Sequence, residues 1–133
     1  MSDFKRLRVW RKAHALVLNI DRLAASIEGP RRSALRSQMV RAAMSIPTNI
    51  VEGRGQSSAK EFARFLRIAL NSSTELEYHL IVARDFRAID EKAFLAALDQ
   101  VLGVRMMLHG LLNRLTDTPS RTVEKAVARG DQR

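Results

Sequence analysis

Three histidines, a scatter of carboxylates and a surplus of arginine are the side chains in this sequence that could do chemistry, and their spacing limits what that chemistry is. Glu75 and His79 stand four apart, so on a helix both project from one face. A di-iron or di-manganese centre between four helices needs a Glu from each of two helices and a Glu-x-x-His, spaced by three, from each of the other two. That set is missing: the Glu75 and His79 spacing is wrong, and Glu52, His14 and His109 stand singly on separate segments. With no cysteine there is no thiolate metal site, disulfide or thiol nucleophile, and no serine sits in a hydrolase signature. No metal, cofactor or catalytic residue is expected, and the chain reads as a non-enzyme.

The arginines point elsewhere. Lys and Arg number 23 against 14 Asp and Glu, a net charge of +9 and a pI near 11.2, which favours polyanions: nucleic acid first, an anionic membrane second. Basic residues far outnumber acidic ones over 1–57 and only match them over 89–115. Lys60, Arg64, Arg67 and Asn71 form an outward row at i, i+4, i+7 and i+11, a one-turn pitch suited to following phosphates. Arg54, just before it, and the free N–H groups of the helix start would add to the attraction. A second basic face holds Arg8, Arg11 and Arg22, with Lys12 beside them. A solvated face is the simpler account of that group, and an anion-binding face the sharper one.

Another set reads as structural. Arg41, Ser45, Thr48 and Glu52 make a polar seam with Asn49 at its edge, lying between apolar stripes, so enclosed groups there need partners. Arg41 and Glu52 lie about 16 Å apart on one helix and cannot pair with each other. Arg41, Asn49, Glu52, Glu75 and Arg105 are therefore expected to form a polar network within the bundle or between subunits. Removing Glu52 costs about 3 kcal/mol if it is buried. Arg105, within an apolar stripe, either takes a carboxylate from Glu75, Glu77 or Glu52 or snorkels to solvent.

The elements that position these groups are all helices. Val9, Ala13, Leu16, Val17, Ile20, Leu23, Ala24 and Ile27 recur at helical spacing, predicting helix 1 over Leu7 to Ile27, closed by Glu28-Gly29-Pro30. Helix 2 is predicted from Arg32 to Glu52, kinked or broken at Pro47, with a fresh start capped by Ser45 as the competing arrangement. Gly53 and Gly55 bracket a turn, and no Gly-Lys-Ser/Thr makes it a phosphate loop. Ser58 with Glu61 is a capping box opening helix 3 near Ala59, which runs to about Asp85 on a seam from Phe62 to Ala83. Asp90 caps helix 4, whose stripe of Phe94, Leu98, Val101, Leu108 and Leu112 ends near Leu115. No strand pattern or internal repeat appears. One all-α domain is expected over 1–115, followed by a polar tail over 116–133, disordered or partner-dependent, with a short helix at Val123 to Ala128.

The charged start and the lack of a run near 20 apolar residues predict a soluble, cytoplasmic chain off the membrane. The wheel of helix 2 carries two apolar stripes, Leu35, Met39, Ala42, Ile46 and Ile50, and on the far side Val40, Met44, Pro47 and Val51. Tyr78, Ile81 and Val82 repeat that on helix 3. Cover on two sides implies an oligomer.

Several segments also match a known family. Phe4, Leu7, Trp10 and Ala13 fit its opening; Gln38, Arg41-Ala42-Ala43, Ser45-Ile46-Pro47, Asn49-Ile50, Glu52-Gly53, Gly55 and Ser58 fit its centre; Glu61-Phe62, Phe65-Leu66, Ile68-Ala69, Ser72, Glu75-Leu76, Leu80 and Ala83 continue it. Over about Phe4 to Leu115 the chain resembles the four-helix-bundle proteins encoded in intervening sequences of bacterial large-subunit ribosomal RNA genes. Asn71 stands where a glycine is usual, and Gln56 where an arginine is usual. The resemblance implies an antiparallel up-and-down bundle assembled as a homopentameric ring, with no established activity. A related branch, the accessory proteins of diversity-generating retroelements, implies a basic scaffold that binds RNA or DNA and a reverse transcriptase. A purely structural or protein-interaction oligomer is the alternative.

Overall fold

The computed structural model describes residues 3–117, and among them are four long helices and no strand. They are α1 (Arg8–Ala25), α2 (Ser33–Arg54), α3 (Ala59–Asp85) and α4 (Glu91–Thr116), with short 3-10 turns at Phe4–Arg6 and Pro30–Arg32. The expected tail helix lies outside the described residues, and Thr116 closes α4 rather than opening a tail. The starts follow local chemistry. Ser58 accepts a hydrogen bond from the Glu61 N–H at 3.1 Å, and Asp90 one from Ala93 N–H at 2.8 Å, each satisfying a donor that the first turn leaves free. Between α1 and α2, Gly29 takes φ +97°, a conformation that costs a residue with a Cβ, and Pro30 then starts the 3-10 turn.

Each helix packs on its sequence neighbour and α1 returns to α4, so one core is enclosed; the α2–α3 contact is the most extensive and α1–α4 the least. Leu16, Ile20, Met39, Ile46, Ile50, Leu66, Leu76, Leu80, Val101 and Leu108 are its large, fully buried members. The α3 seam from Phe62 to Ala83 is buried throughout, and Ala97 and Val104 join the expected α4 stripe.

Two expectations about α2, a break at Pro47 and a free second stripe, are corrected. The helix runs through Pro47 without a break, and Ser45 sits mid-helix, its Oγ 2.7 Å from Ser72 Oγ, so it caps nothing. An interior proline costs about 3 kcal/mol, which burial of Ile46 and Ile50 at roughly 1.5–3 kcal/mol each offsets. Nor is the second apolar stripe free. Pro47 is buried and Val40 and Val51 half-buried, because Trp10, His14 and Val17 of α1 face Met44, Pro47 and Val51 while α3 takes the other side. A helix between two neighbours within one chain already needs cover on two sides, so the wheel overstated the surface left for other subunits. Met44 stays 51% exposed and Tyr78 61%.

Gly53 and Gly55 also part company. Gly53 is a buried residue of α2 rather than a turn: a Cβ there would lie 2.8 Å from Phe62 Cδ1 and 2.9 Å from Phe65 Cβ, so the glycine permits a close α2–α3 approach. A Cβ at Gly55 meets only ordinary contacts, at 3.7 Å or more. Gly53→Ala is therefore expected to lower stability by about 1–3 kcal/mol in urea unfolding, since a backbone-proximal Cβ cannot simply rotate away. Gly55→Ala, the matched control, should stay within about 0.5 kcal/mol.

Candidate nucleic-acid interface

The α2–α3 turn and the first turns of α3 bring the expected basic row together. Lys60, Arg64 and Arg67 are exposed on one face of α3, and Arg54 closes α2 next to its start. Their states differ. Arg64 Nε donates to Glu61 Oε1 at 3.1 Å and its guanidinium lies 4.5 Å over the Phe65 ring, so one carboxylate already neutralises it in part. Lys60 and Arg67 carry no ion pair among the described residues. Arg54 lies against Phe62, 6.0 Å from the ring centre, and its buried Nε has no acceptor. Arg54, Gly55, Gln56, Ser57, Ser58 and Leu115 line a hollow beside it. Gln56, where an arginine was the family expectation, donates to the Glu52 carbonyl at 3.1 Å and adds no charge.

The second basic face separates into different roles. Arg11 donates to the Lys5 and Arg6 carbonyls at 3.2 and 3.1 Å, tying the N-terminal 3-10 turn to α1. Arg22 hydrogen-bonds Asn19, whose amide reaches Gln100 of α4 at 3.0 Å, so this arginine belongs to the α1–α4 seam. Arg8 lines an apolar hollow with Leu7, Met107 and Arg114.

The structural set resolves into two networks. Between α2 and α3, Arg41 donates to Gln38 Oε1 at 2.7 Å and to Glu75, which His79 Nε2 also approaches at 3.4 Å. Asn49 donates to the Ser45 carbonyl and hydroxyl at 2.8 and 3.1 Å, below the Ser45–Ser72 pair. On α4, Arg105 donates to Ser73 Oγ at 3.1 Å, the Ser73 carbonyl at 3.2 Å and Glu77 Oε1 at 2.9 Å. Of the three carboxylates open to it, Glu77 is the partner, while Glu75, on another face of α3, serves Arg41. Among the described residues Glu52 joins neither network: its side chain is exposed. No group of three His, Cys, Asp or Glu that could hold a metal occurs among the described residues.

Two features were missed from the sequence. Leu95, Leu102 and Met106 make an exposed outer stripe on α4, with Met106 73% exposed, although their i, i+7, i+11 spacing is a legible signal. The 26-residue α4 is also long and apolar enough to cross a membrane by length and composition, against the expected absence of such a run; Phe94, Ala97, Val101, Val104 and Leu108 pack it into the core.

These features define a small, basic all-α protein with four helices and polar seams between them. The chain belongs to the 23S rRNA-intervening sequence protein family, whose model matches residues 5–110. It is similar to a solved protein of unknown function from the S23 ribosomal protein family of Bacteroides thetaiotaomicron, with 22% identity, a TM-score of 0.73, and 78% of this chain and 97% of that one covered. A comparison with curated proteins returned no match.

Side-chain placement separates Glu77 from Glu52. Glu77→Ala leaves the half-buried Arg105 on the neutral acceptors of Ser73 alone and is expected to cost about 1–2 kcal/mol in urea unfolding, between the values for exposed and fully buried pairs. Glu52→Ala should change the monomer's thermal stability by less than about 0.5 kcal/mol, in place of the larger loss that burial would have brought.

Proposed function

We propose that this chain is a non-enzymatic scaffold that binds nucleic acid through the basic row at the start of α3. The observation that carries this is the joint display of Lys60 and Arg67, exposed on one face of α3 and without an ion pair among the described residues. Exposed cations with no carboxylate partner are free to pair with anionic oxygens. Phosphates recurring along a backbone would meet the row one turn at a time.

The scaffold we infer is an antiparallel up-and-down bundle. Contacts of Arg41 with Glu75, Ser45 with Ser72, and Gly53 with Phe62 support it, since positions rise along α2 as they fall along α3. A cytoplasmic homo-oligomeric ring, five-fold as the family resemblance implies, would repeat the row and add weak contacts by avidity. Exposed Met44 and Tyr78, with Leu95, Leu102 and Met106 on α4, are apolar surface favouring assembly, and they also support the alternative of a structural oligomer without nucleic acid. A reverse transcriptase or other nucleic-acid enzyme would be the protein partner of such a scaffold.

Exchanging Arg64 and Arg67 together for Glu tests this. Affinity for mixed-sequence RNA and DNA should fall alike on every sequence, and the log–log salt slope should shrink by about one unit for each phosphate no longer neutralised. An unchanged slope with the fold intact removes the row as the site. Sedimentation at micromolar concentration should give an oligomer, and a monomer would overturn the ring.

A further inference from the structure

At the opposite end of α3, which its 27 residues carry about 40 Å from the first turn, the loops joining α1 to α2 and α3 to α4 meet. Phe86 is 49% exposed there, an aromatic ring on the surface of a chain with few aromatics. The Arg32 guanidinium lies over that ring, 4.2 Å from its centre. Arg32 makes no ion pair among the described residues, so the stack is not a by-product of a salt bridge; exposed Arg31 and Arg87 flank it, also without one.

The left-handed backbone at Arg87 follows from the way α3 ends. α3 closes with Ala88 N–H donating to the Ala83 carbonyl and Arg87 N–H to the Arg84 carbonyl, both at 2.8 Å, the paired pattern in which the residue after the C-cap turns left-handed. Glycine is favoured at that position, yet Arg87 holds it at φ +60° and is the one non-glycine residue with positive φ among those described. The Arg87 side chain is exposed at that corner, next in the chain to Phe86. The facing loop is held in place: Arg36 donates to the Ile27 and Gly29 carbonyls, each at 2.9 Å, so Arg32 is presented from a pinned turn. Glu28 lines the same hollow and offers an acceptor.

We propose that Phe86 and Arg32 form a stacking platform for an unpaired base of a single-stranded nucleic acid, with Arg31 and Arg87 on the flanking phosphates. This deepens the nucleic-acid reading above and rests on it. An aromatic face with stacked guanidinium suits a base of any sequence, because every base has a π-face. Glu28 adds a preference for bases with an amino group on the exposed edge. Paired bases are shielded inside a duplex, so this end discriminates single strands from duplexes, which the phosphate row at the other end of α3 does not.

The test measures fluorescence anisotropy of a labelled mixed-sequence RNA of about 12 nucleotides, single-stranded and as a duplex, over a salt series. Phe86→Leu should lower single-strand affinity roughly tenfold, as expected for one stacked base, with duplex affinity unchanged. Phe86→Tyr keeps the ring and should restore binding. Arg87→Gly relieves the left-handed strain, so its melting temperature should rise by about a few degrees while single-strand affinity falls and the salt slope shrinks by about 0.7. Equal single-strand affinity for wild type and Phe86→Leu, or an Arg87→Gly variant that binds as wild type, overturns the platform. If those variants bind normally while the Arg64, Arg67 exchange abolishes binding, the nucleic-acid function stands and the platform alone fails; if the wild type binds neither RNA form, both fall.

Discussion

The close approach of α2 to α3 at Gly53 is the constraint on which the remaining packing depends. With Phe62 and Phe65 seated against a residue that has no side chain, the two helices can hold the most extensive contact in the bundle. That contact sets Ser45 on Ser72 and Arg41 by Glu75, while α1 covers the Pro47 ring from the other side of α2. Hydroxyls and a carboxamide at the seam satisfy each other, so small polar residues can occupy an interface otherwise made of Ala, Leu and Ile.

Charge is distributed around that packed pair in two different ways. Several arginines serve the chain itself: Arg11 on the first turn, Arg22 through Asn19, Arg36 on the loop carbonyls, and Arg105 on Ser73 and Glu77. Others are left without an internal ion-pair partner among the described residues, among them Lys60, Arg67 and Arg54 toward the start of α3, Arg31, Arg32 and Arg87 near its end, and Arg8, Lys12 and Lys92 on α1 and α4. A net charge of +9 counts both kinds equally, which is why composition suggests a polyanionic partner but is silent on the place.

The apolar surface shows the same division. The second stripe of α2 is largely covered by α1 of the same chain, whereas Leu95, Leu102 and Met106 on α4 stay exposed. Helical period identifies which residues share a face, but each face of a helix in a four-helix core has a different neighbour. Whether a given stripe meets another helix depends on the rotation of that helix about its axis.

Much of this protein was settled by its sequence alone. Periodicity of 3.6, the Ser58 and Asp90 caps and the Gly29-Pro30 break determined four helices to within two or three residues at their ends, because these signals are local. The motif from Arg41 to Ser58 was enough to place the chain in its family. Tertiary structure decided the rest: that Pro47 sits inside one helix, that Gly53 is a packing glycine and not a turn, that Arg105 takes Glu77, and that Glu52 stays in solvent. It also stacked Arg32 on Phe86, two residues from distant loops with nothing in their local patterns to join them. Local propensity acts over a few residues, while burial, close approach and ion pairing depend on which segments meet across the core, and no single segment encodes that.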